Sequence, residues 1–344
     1  MKKSTLIGVI IAILVVSVVG GYYFANQYAK KVAEKRIDTL LEKNHLKKDV
    51  SYKNLTSSIL SRSITIHNLI WNVNKNGKKL GKIVVDELVI HGNPLSNDYS
   101  VVIKNANIIN LQKINPDLSN KTIATIKTGH IEVEKEDAKE EEKINLTDIH
   151  INKNIFFTTQ SDFEKITKIL NLNAPINIKA HLILDKKDKT AFLDHYTINW
   201  KDNLAVSYSL KLANVDIEGF REIAKQLNGD NPNPIMVLGL LSKAYEIKPL
   251  EVKVKFKNYG AVDRFIQLIS KTEHTSKEDI IKRLQFQLNH SPFKKFSQPI
   301  VSFVDEKKKH LEITIDNPEQ LSVGDLGSRL TSNNFYKILH IEVE

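Results

Sequence analysis

Apolar and polar positions alternate in three different regimes along the chain. Residues 5–25, "TLIGVIIAILVVSVVGGYYFA", carry no charged side chain and no polar stripe. A run of that length reaches across the roughly 30 Å hydrocarbon layer as one helix, so it predicts a transmembrane signal-anchor over 1–25. From Asn26 the period becomes helical, with Val32, Ile37, Leu40 and Leu41 recurring among Lys and Glu. This predicts a helical stalk over 26–50 that continues the anchor outward.

Beyond the stalk the period drops to two. "SSILSRSITIHNLIWNV" sets Ile64, Ile66 and Ile70 on one side with a gap at Asn68, and "KIVVDELVIHG" follows as a second run. Asn76-Gly77 between them supplies the positive φ of a tight hairpin turn. Further runs as far as "LAVSYSLKLANV" predict an antiparallel meander over 51–214. "PINIKAHLILD" alternates strictly: Ile176, Ile178, Ala180, Leu182 and Leu184 face one way, while Asn177, Lys179, His181 and Ile183 mostly face water. "EKEDAKEEEK" reads as a charged, solvated loop, and "SDFEKITKIL" as a short helix opened by a capping box of Ser161 and Glu164.

After Val215 helices and strands mix. "DIEGFREIAKQL" predicts an amphipathic helix capped by Asp216, and "NPNPIMVLGLLSKA" a more apolar one. "YGAVDRFIQLIS" and "TSKEDIIKRLQFQL" predict two more, the second with Thr275 and Glu278 as a capping box. "PLEVKVKFKN", "KHLEITID" and "YKILHIEVE" read as strands that complete the sheet. The expected fold is α+β: one transmembrane helix and stalk, then a large, mostly antiparallel sheet with the helices of the C-terminal third packing on it. Residues 51–214 form the β-rich body and 215–344 complete it.

Charge and composition change this picture little. The net charge is +10, yet the excess is almost all Lys, with six Arg in the chain. Lys is the poorer residue for bidentate phosphate recognition, so nucleic acid is not an expected partner. The absence of Cys excludes a Cys nucleophile, a thiolate zinc site and a disulfide framework. A cleaved signal peptide competes with the anchor, but the apolar run exceeds the roughly 7–15 residues of a signal h-region. A short basic head at Lys2 and Lys3 stays inside while the bulk crosses. The expected location is therefore a single-pass inner-membrane protein with its body in the periplasm.

Candidate chemistry is sparse. Gly77, Gly81 and Lys82 fall one residue short of a phosphate-binding loop and lack the following Ser or Thr. The histidines show no i, i+3 or i+4 pair and no HExxH, and read as surface or strand positions rather than metal ligands. Asp263 and Arg264 in "VDRF" suit a helix-surface pair or a strand–helix joint. No catalytic residue, metal or cofactor is expected.

The entry into the first hairpin, "LTSSILSRSITIHNLIW", following a basic head, one span and a stalk, resembles the YdgA-like proteins of the Gram-negative inner membrane and their AsmA-like relatives. "LAVSYSLKLANVDIEGF", "FKNYGAVDRFIQLI" and "LEITIDNPEQLSVGDL" are similar to later segments of those proteins. The resemblance implies a membrane-anchored periplasmic β-rich body and, for the AsmA-like relatives, lipid handling or envelope maintenance. It supplies no catalytic residues. A sheet with one apolar face could curl around an acyl chain, and this makes Ile178, Leu182 and Leu184 the candidate lipid-facing residues, with membrane lipid and envelope proteins as partners. The competing readings are a scaffold or adaptor and, third, an envelope enzyme. Helices after Val215 that cover the apolar face would turn the trough into an ordinary core.

Overall fold

A computed structural model describes residues 29–344 apart from 40, 43–45, 59, 76–77, 93–97, 111–120, 153–170, 228–233 and 330–337. The chain divides into two compact units, Met1–His130 and Ile131–Glu344.

In the first unit a helix over residues 29–39 (α1) precedes strands β1 (Val50–Ser51), β2 (Asn54–Ser58), β3 (Ser63–Lys75), β4 (Lys78–Gly92) and β5 (Tyr99–Asn110). The strands lie antiparallel in the order β1-β3-β4-β5, with β2 also paired to β3. Register sets Leu55 opposite Ile66 and Ile64 opposite Ile90. These four join Ala33 and Ile37, one turn apart on α1, in a single buried cluster. Each such aliphatic side chain contributes about 1.5–3 kcal/mol by leaving water.

The segment expected as a free stalk is thus docked by one face onto the sheet, with Lys31, Lys35 and Arg36 left exposed. No helix among the described residues is long and apolar enough to cross a membrane. Residues 1–25, on which the anchor expectation rests, lie outside the described residues. The N-terminal transmembrane helix, the inner-membrane placement and the periplasmic body inferred from it are therefore not supported. The remainder of the expected architecture holds: long antiparallel strands dominate, and the helices of the C-terminal third accompany them.

Asn68 corrects the expected pleat. Its φ of 52° is left-handed, a conformation that Asn tolerates better than most residues. Past it, Leu69 packs against the core cluster, whereas continuous alternation assigns that place to Ile70. Lys75 pairs with Lys78, and the expected turn at Asn76-Gly77 lies outside the described residues. The same holds for the helix expected over 161–170.

β6 (Thr122–Lys135) carries the chain into the second unit. There β7 (Lys139–Ile151), β8 (Ile176–Asp185), β9 (Thr190–Trp200), β10 (Leu204–Ala213), β11 (Lys248–Asn258), β12 (His310–Asp316) and β13 (His340–Val343) pair in sequence order, each antiparallel to its neighbours. Between β10 and β11 come α2 (Ile217–Leu227) and α3 (Pro234–Glu246). Between β11 and β12 come α4 (Ala261–Glu273), α5 (Lys277–Asn289), a 3-10 turn (Lys294–Phe296) and α6 (Ser297–Val304); α7 (Val323–Arg329) follows β12.

Local chemistry explains most of these boundaries. Asp216 caps α2 as expected, accepting a 3.0 Å bond from the Gly219 amide, and it also pairs with Lys243 of α3. α5 is capped by Ser276 and Asp279, one residue past the expected box, with Ser276 Oγ accepting from the Asp279 amide at 3.1 Å. The charged stretch at 134–143 is mostly strand: only residues 136–138 turn, where the Glu136 amide donates to the Lys139 carbonyl at 2.8 Å.

Candidate functional site

Strand register in the second unit gathers one apolar face from side chains far apart in sequence. Ile178, Ile198, Val206, Phe256 and Leu311 stand opposite one another on five successive strands. The next row is Ala180, Tyr196, Tyr208, Val254 and Ile313, and the third is Leu182, Leu193, Leu210, Val252 and Ile315. A fourth, Leu184, Ala191, Leu212 and Pro249, closes the face. β7 extends the first two rows with Leu146 and Ile144 but meets the last two with Glu142 and Glu140. Six strands at about 4.8 Å spacing and four rows two residues apart make a face of roughly 24 by 20 Å.

The three candidate lipid-facing residues share this face: Ile178 lies in the first row, Leu182 in the third and Leu184 in the fourth. Helices cover its ends. At one end Val215, just before α2, with Ile217 and Phe220 at the start of that helix, packs with Leu184, Ala191 and Leu212. At the other, Phe303 of α6 lies against Phe256 with ring centroids 6.4 Å apart, and Leu311 is buried. Between the ends the face is half-buried: Ile178, Leu182 and their neighbours on β9, β10 and β11 are only partly covered, and Tyr208 is 40% exposed.

One buried charge fixes the α2 end. Glu140 sits on β7 opposite Leu184 and is 4% exposed. Arg221 of α2 reaches it with both terminal nitrogens, Nη1 donating to Oε1 at 2.9 Å, and Lys186 Nζ approaches the same oxygen at 3.0 Å. The guanidinium beside it holds the Glu140 carboxyl down at about 2, against the opposing effect of burial. An ionised carboxylate this deep is tolerated because each oxygen meets a cation. Two charges thereby latch α2 over the fourth row.

A second polar cluster ties the helical segment to the β9–β10 turn. Asn203 is fully buried; its Nδ2 donates to the Lys201 and Asn171 carbonyls at 3.1 and 3.3 Å, and its Oδ1 accepts from Arg264 Nη2 at 2.6 Å. Arg264 also donates to the Asp202 carbonyl at 2.6 Å. Asp263 instead holds Lys277 at 2.8 Å, which lowers its own pKa. The "VDRF" residues therefore do not pair with each other; Arg264 makes the strand–helix joint.

The first unit holds a cavity of about 450 Å³ between α1 and β2–β4. Val32, Ala33 and Ile64 make its apolar wall, with Arg36 and Arg62 among its lining side chains.

Signals for the apolar face existed in the strict alternation of β8 and the parity of β10, but the register that aligns them is a tertiary property. The Glu140 latch had no sequence signal, since a glutamate among five charges reads as solvated. A family model described as "Uncharacterized protein" matches residues 197–344, which run from β9 through β13 with all of α2–α7. No curated protein matches the chain. Neither comparison links it to the YdgA-like or AsmA-like proteins, so that kinship is not supported, and the matched region coincides with the sheet and helices that build most of the apolar face.

Proposed function

We propose that the second unit is a non-enzymatic binder of an amphiphile, holding its acyl chain against the half-covered apolar face. The observation that carries this reading is the row Leu182–Leu193–Leu210–Val252–Ile315, aligned across five strands yet only partly buried, whereas Leu311 of the first row and Ala191 of the fourth are buried. Leaving so much aliphatic surface half in water forgoes roughly 25 cal/mol per Å², and a chain laid across it recovers that term. The face also has room: one leaflet of a roughly 30 Å hydrocarbon layer corresponds to a chain of about 15 Å, shorter than either dimension estimated above. Most of its side chains carry no polar atom for a reacting group to use.

The test is native mass spectrometry of the full chain, purified with and without added fatty acid and phospholipid, beside Leu182→Asp and Arg62→Glu variants. A charge on a half-covered face should expel the lipid while the far-ultraviolet circular dichroism stays native, because an unpaired carboxylate there is costly to desolvate. Arg62→Glu, at the other unit's cavity, should leave binding unchanged. Lipid lost in Arg62→Glu and kept in Leu182→Asp would move the site to that cavity and refute the reading. A second reading, an adaptor, is favoured by α3, whose Leu238, Leu241 and Tyr245 form an exposed stripe at 65%, 46% and 57%. A wild-type protein that binds no lipid, with Leu182→Asp unfolding as a packed core would, leaves the adaptor as the better account.

A further inference from the structure

The face opposite the apolar one carries a cluster assembled by a fold irregularity. β9 has one residue more than either neighbour at this level: His195 pairs with His181 and Leu193 with Leu182, which leaves Asp194 as the extra residue of a β-bulge. The same offset recurs toward β10, where Tyr208 meets Tyr196 and Leu210 meets Leu193. Leu193 and Tyr196 both belong to the apolar rows, so Asp194 and His195 are both turned to the polar side, where His181 lies. A bulge re-aims side chains in this way, and two consecutive residues come to share one face.

Three donors of a kind that binds metals then converge. Asp194 Oδ2 lies 3.2 Å from His181 Nδ1 and 3.0 Å from His195 Nδ1, and one ligand atom from each of the three residues falls within 4.8 Å of the others. Bonds of about 2.0–2.2 Å at tetrahedral angles set neighbouring ligand atoms roughly 3.4 Å apart, close to these separations. Beyond the three lies a fourth group in the place a metal site uses. His181 Nε2 is 2.8 Å from Glu141 Oε1, and Lys143 Nζ is 3.0 Å from that same oxygen. Metal-ligating histidines characteristically donate their other ring N–H to a carboxylate, which fixes the tautomer and leaves the first nitrogen free to ligate. Here that arrangement leaves Nδ1 of His181 as the ligating atom, on the side facing Asp194.

The simpler account is a set of ion pairs on a solvated sheet face. It explains Glu141, which has Lys143, but it gives no reason for one aspartate to stand between two imidazoles that it meets through the same kind of ring atom. Borderline-hard divalent ions are suited by two imidazoles and a carboxylate, whereas Ca²⁺ and Mg²⁺ prefer all-oxygen sets.

We infer that His181, Asp194 and His195 form a binding site for a divalent transition-metal ion of the zinc class, with Glu141 as the orienting carboxylate of His181. The ion would clamp β8 to β9 at the bulge. Asp194 and His195 are about half exposed, so the site is open to entry from solvent and keeps a position for water. The site stands on the polar face and does not depend on lipid binding to the other.

The experiment uses the full chain stripped with a chelator and titrated with Zn²⁺ against a chromogenic competitor, together with the visible spectrum of the Co²⁺-loaded protein. The inference expects one high-affinity Zn²⁺ per chain and Co²⁺ bands of a four- or five-coordinate site. Asp194→Asn and His195→Ala should each weaken Zn²⁺ at least 100-fold, and Glu141→Gln by about 10-fold, the lower end of the effect of losing an orienting partner. His340→Ala, which removes a histidine 3.7 Å from Asp316, should change nothing. Asp194, His195 and His340 face solvent and Glu141 is partly buried, and the apo circular dichroism of each variant checks that the fold survives. Zn²⁺ binding undiminished in the Asp194→Asn variant, or an octahedral Co²⁺ spectrum in the wild type, would overturn the assignment.

Discussion

Removing the Arg221 side chain tests the latch between α2 and the sheet. A carboxyl held at about 2 rather than its ordinary 4.5 corresponds to about 3 kcal/mol favouring the ionised form in the folded protein. Arg221→Ala deletes the two-nitrogen contact that is the largest cause of that shift, and leaves Lys186 at 3.0 Å and Lys135 at 4.0 Å. Stripping a buried charge of its whole partner set costs about 3–5 kcal/mol; with Lys186 retained, about 2–3 kcal/mol is expected. Urea unfolding followed by Trp200 fluorescence, in a Trp71→Phe background, reads the second unit alone. The pH dependence gives the sign. Because the folded pKa is depressed, the stabilisation is fully present above about pH 4.5 and is lost as pH falls toward 2. In Arg221→Ala that acid-sensitive decline should shrink.

The same variant separates charge from packing. Replacing both partners, Glu140→Met with Arg221→Met, removes the orphaned carboxylate and should recover more than half of the loss. A single-variant loss below about 0.5 kcal/mol, with an unaltered acid profile, would refute the reasoning, because Lys186 alone would then suffice to hold the carboxylate. Freed of its latch, α2 should also uncover the fourth apolar row, so binding of a hydrophobic dye should rise at urea concentrations well below the midpoint.

Two further outcomes follow from single side chains. Asn203→Ala takes one of two acceptors from Arg264 and the side-chain donor from the Lys201 carbonyl in a buried joint and should destabilise the second unit by about 1–3 kcal/mol in the same urea assay, while Asp263→Asn, which weakens a partly exposed pair with Lys277, should cost under 1 kcal/mol. Gly92→Ala should cost the first unit about 1–3 kcal/mol by the shift in its thermal midpoint, since Gly92 has φ 79° and an added Cβ would lie 2.7 Å from the Asp98 carbonyl oxygen.

Period-two alternation made most strands legible, and the sheet with its C-terminal helices follows from it. What alternation hides is each place where the pleat breaks. Asn68, Asn105 and Asp148 all have positive φ within strands, at 52°, 53° and 51°. Each is an Asn or Asp, the residue types that reach the left-handed region with least strain. The polar interruption visible in "HNLI" was therefore a sign of a kink, and reading it as a gap in one continuous face displaced Ile70 for Leu69. Asp148 shows how such a kink is stabilised: its freed amide donates to Asn177 Oδ1 on β8 at 2.9 Å, a partner 29 residues away.

The bulge at Asp194 carries the same lesson to the candidate sites. In "AFLDHYTINW" the apolar positions run Ala191, Phe192 and Leu193, then Tyr196, Ile198 and Trp200. The parity changes between Leu193 and Tyr196, and a strand whose one face must stay apolar can change parity only by inserting a residue. Within the strand alone Phe192 shares the parity of Tyr196, so the change shows only in the pairing with β8 and β10. Its consequence, two consecutive polar residues on one face, singles out Asp194 and His195. What no single strand contains is the partner: His181 lies 13 residues before Asp194, and only the register of β8 on β9 brings its ring to 5.7 Å from that of His195. Searching for histidines at helical spacing therefore missed a pair joined across strands. The apolar face and the histidine cluster thus arise from one device, because the extra residue that keeps Leu193 and Tyr196 in their rows is also what turns Asp194 toward His181.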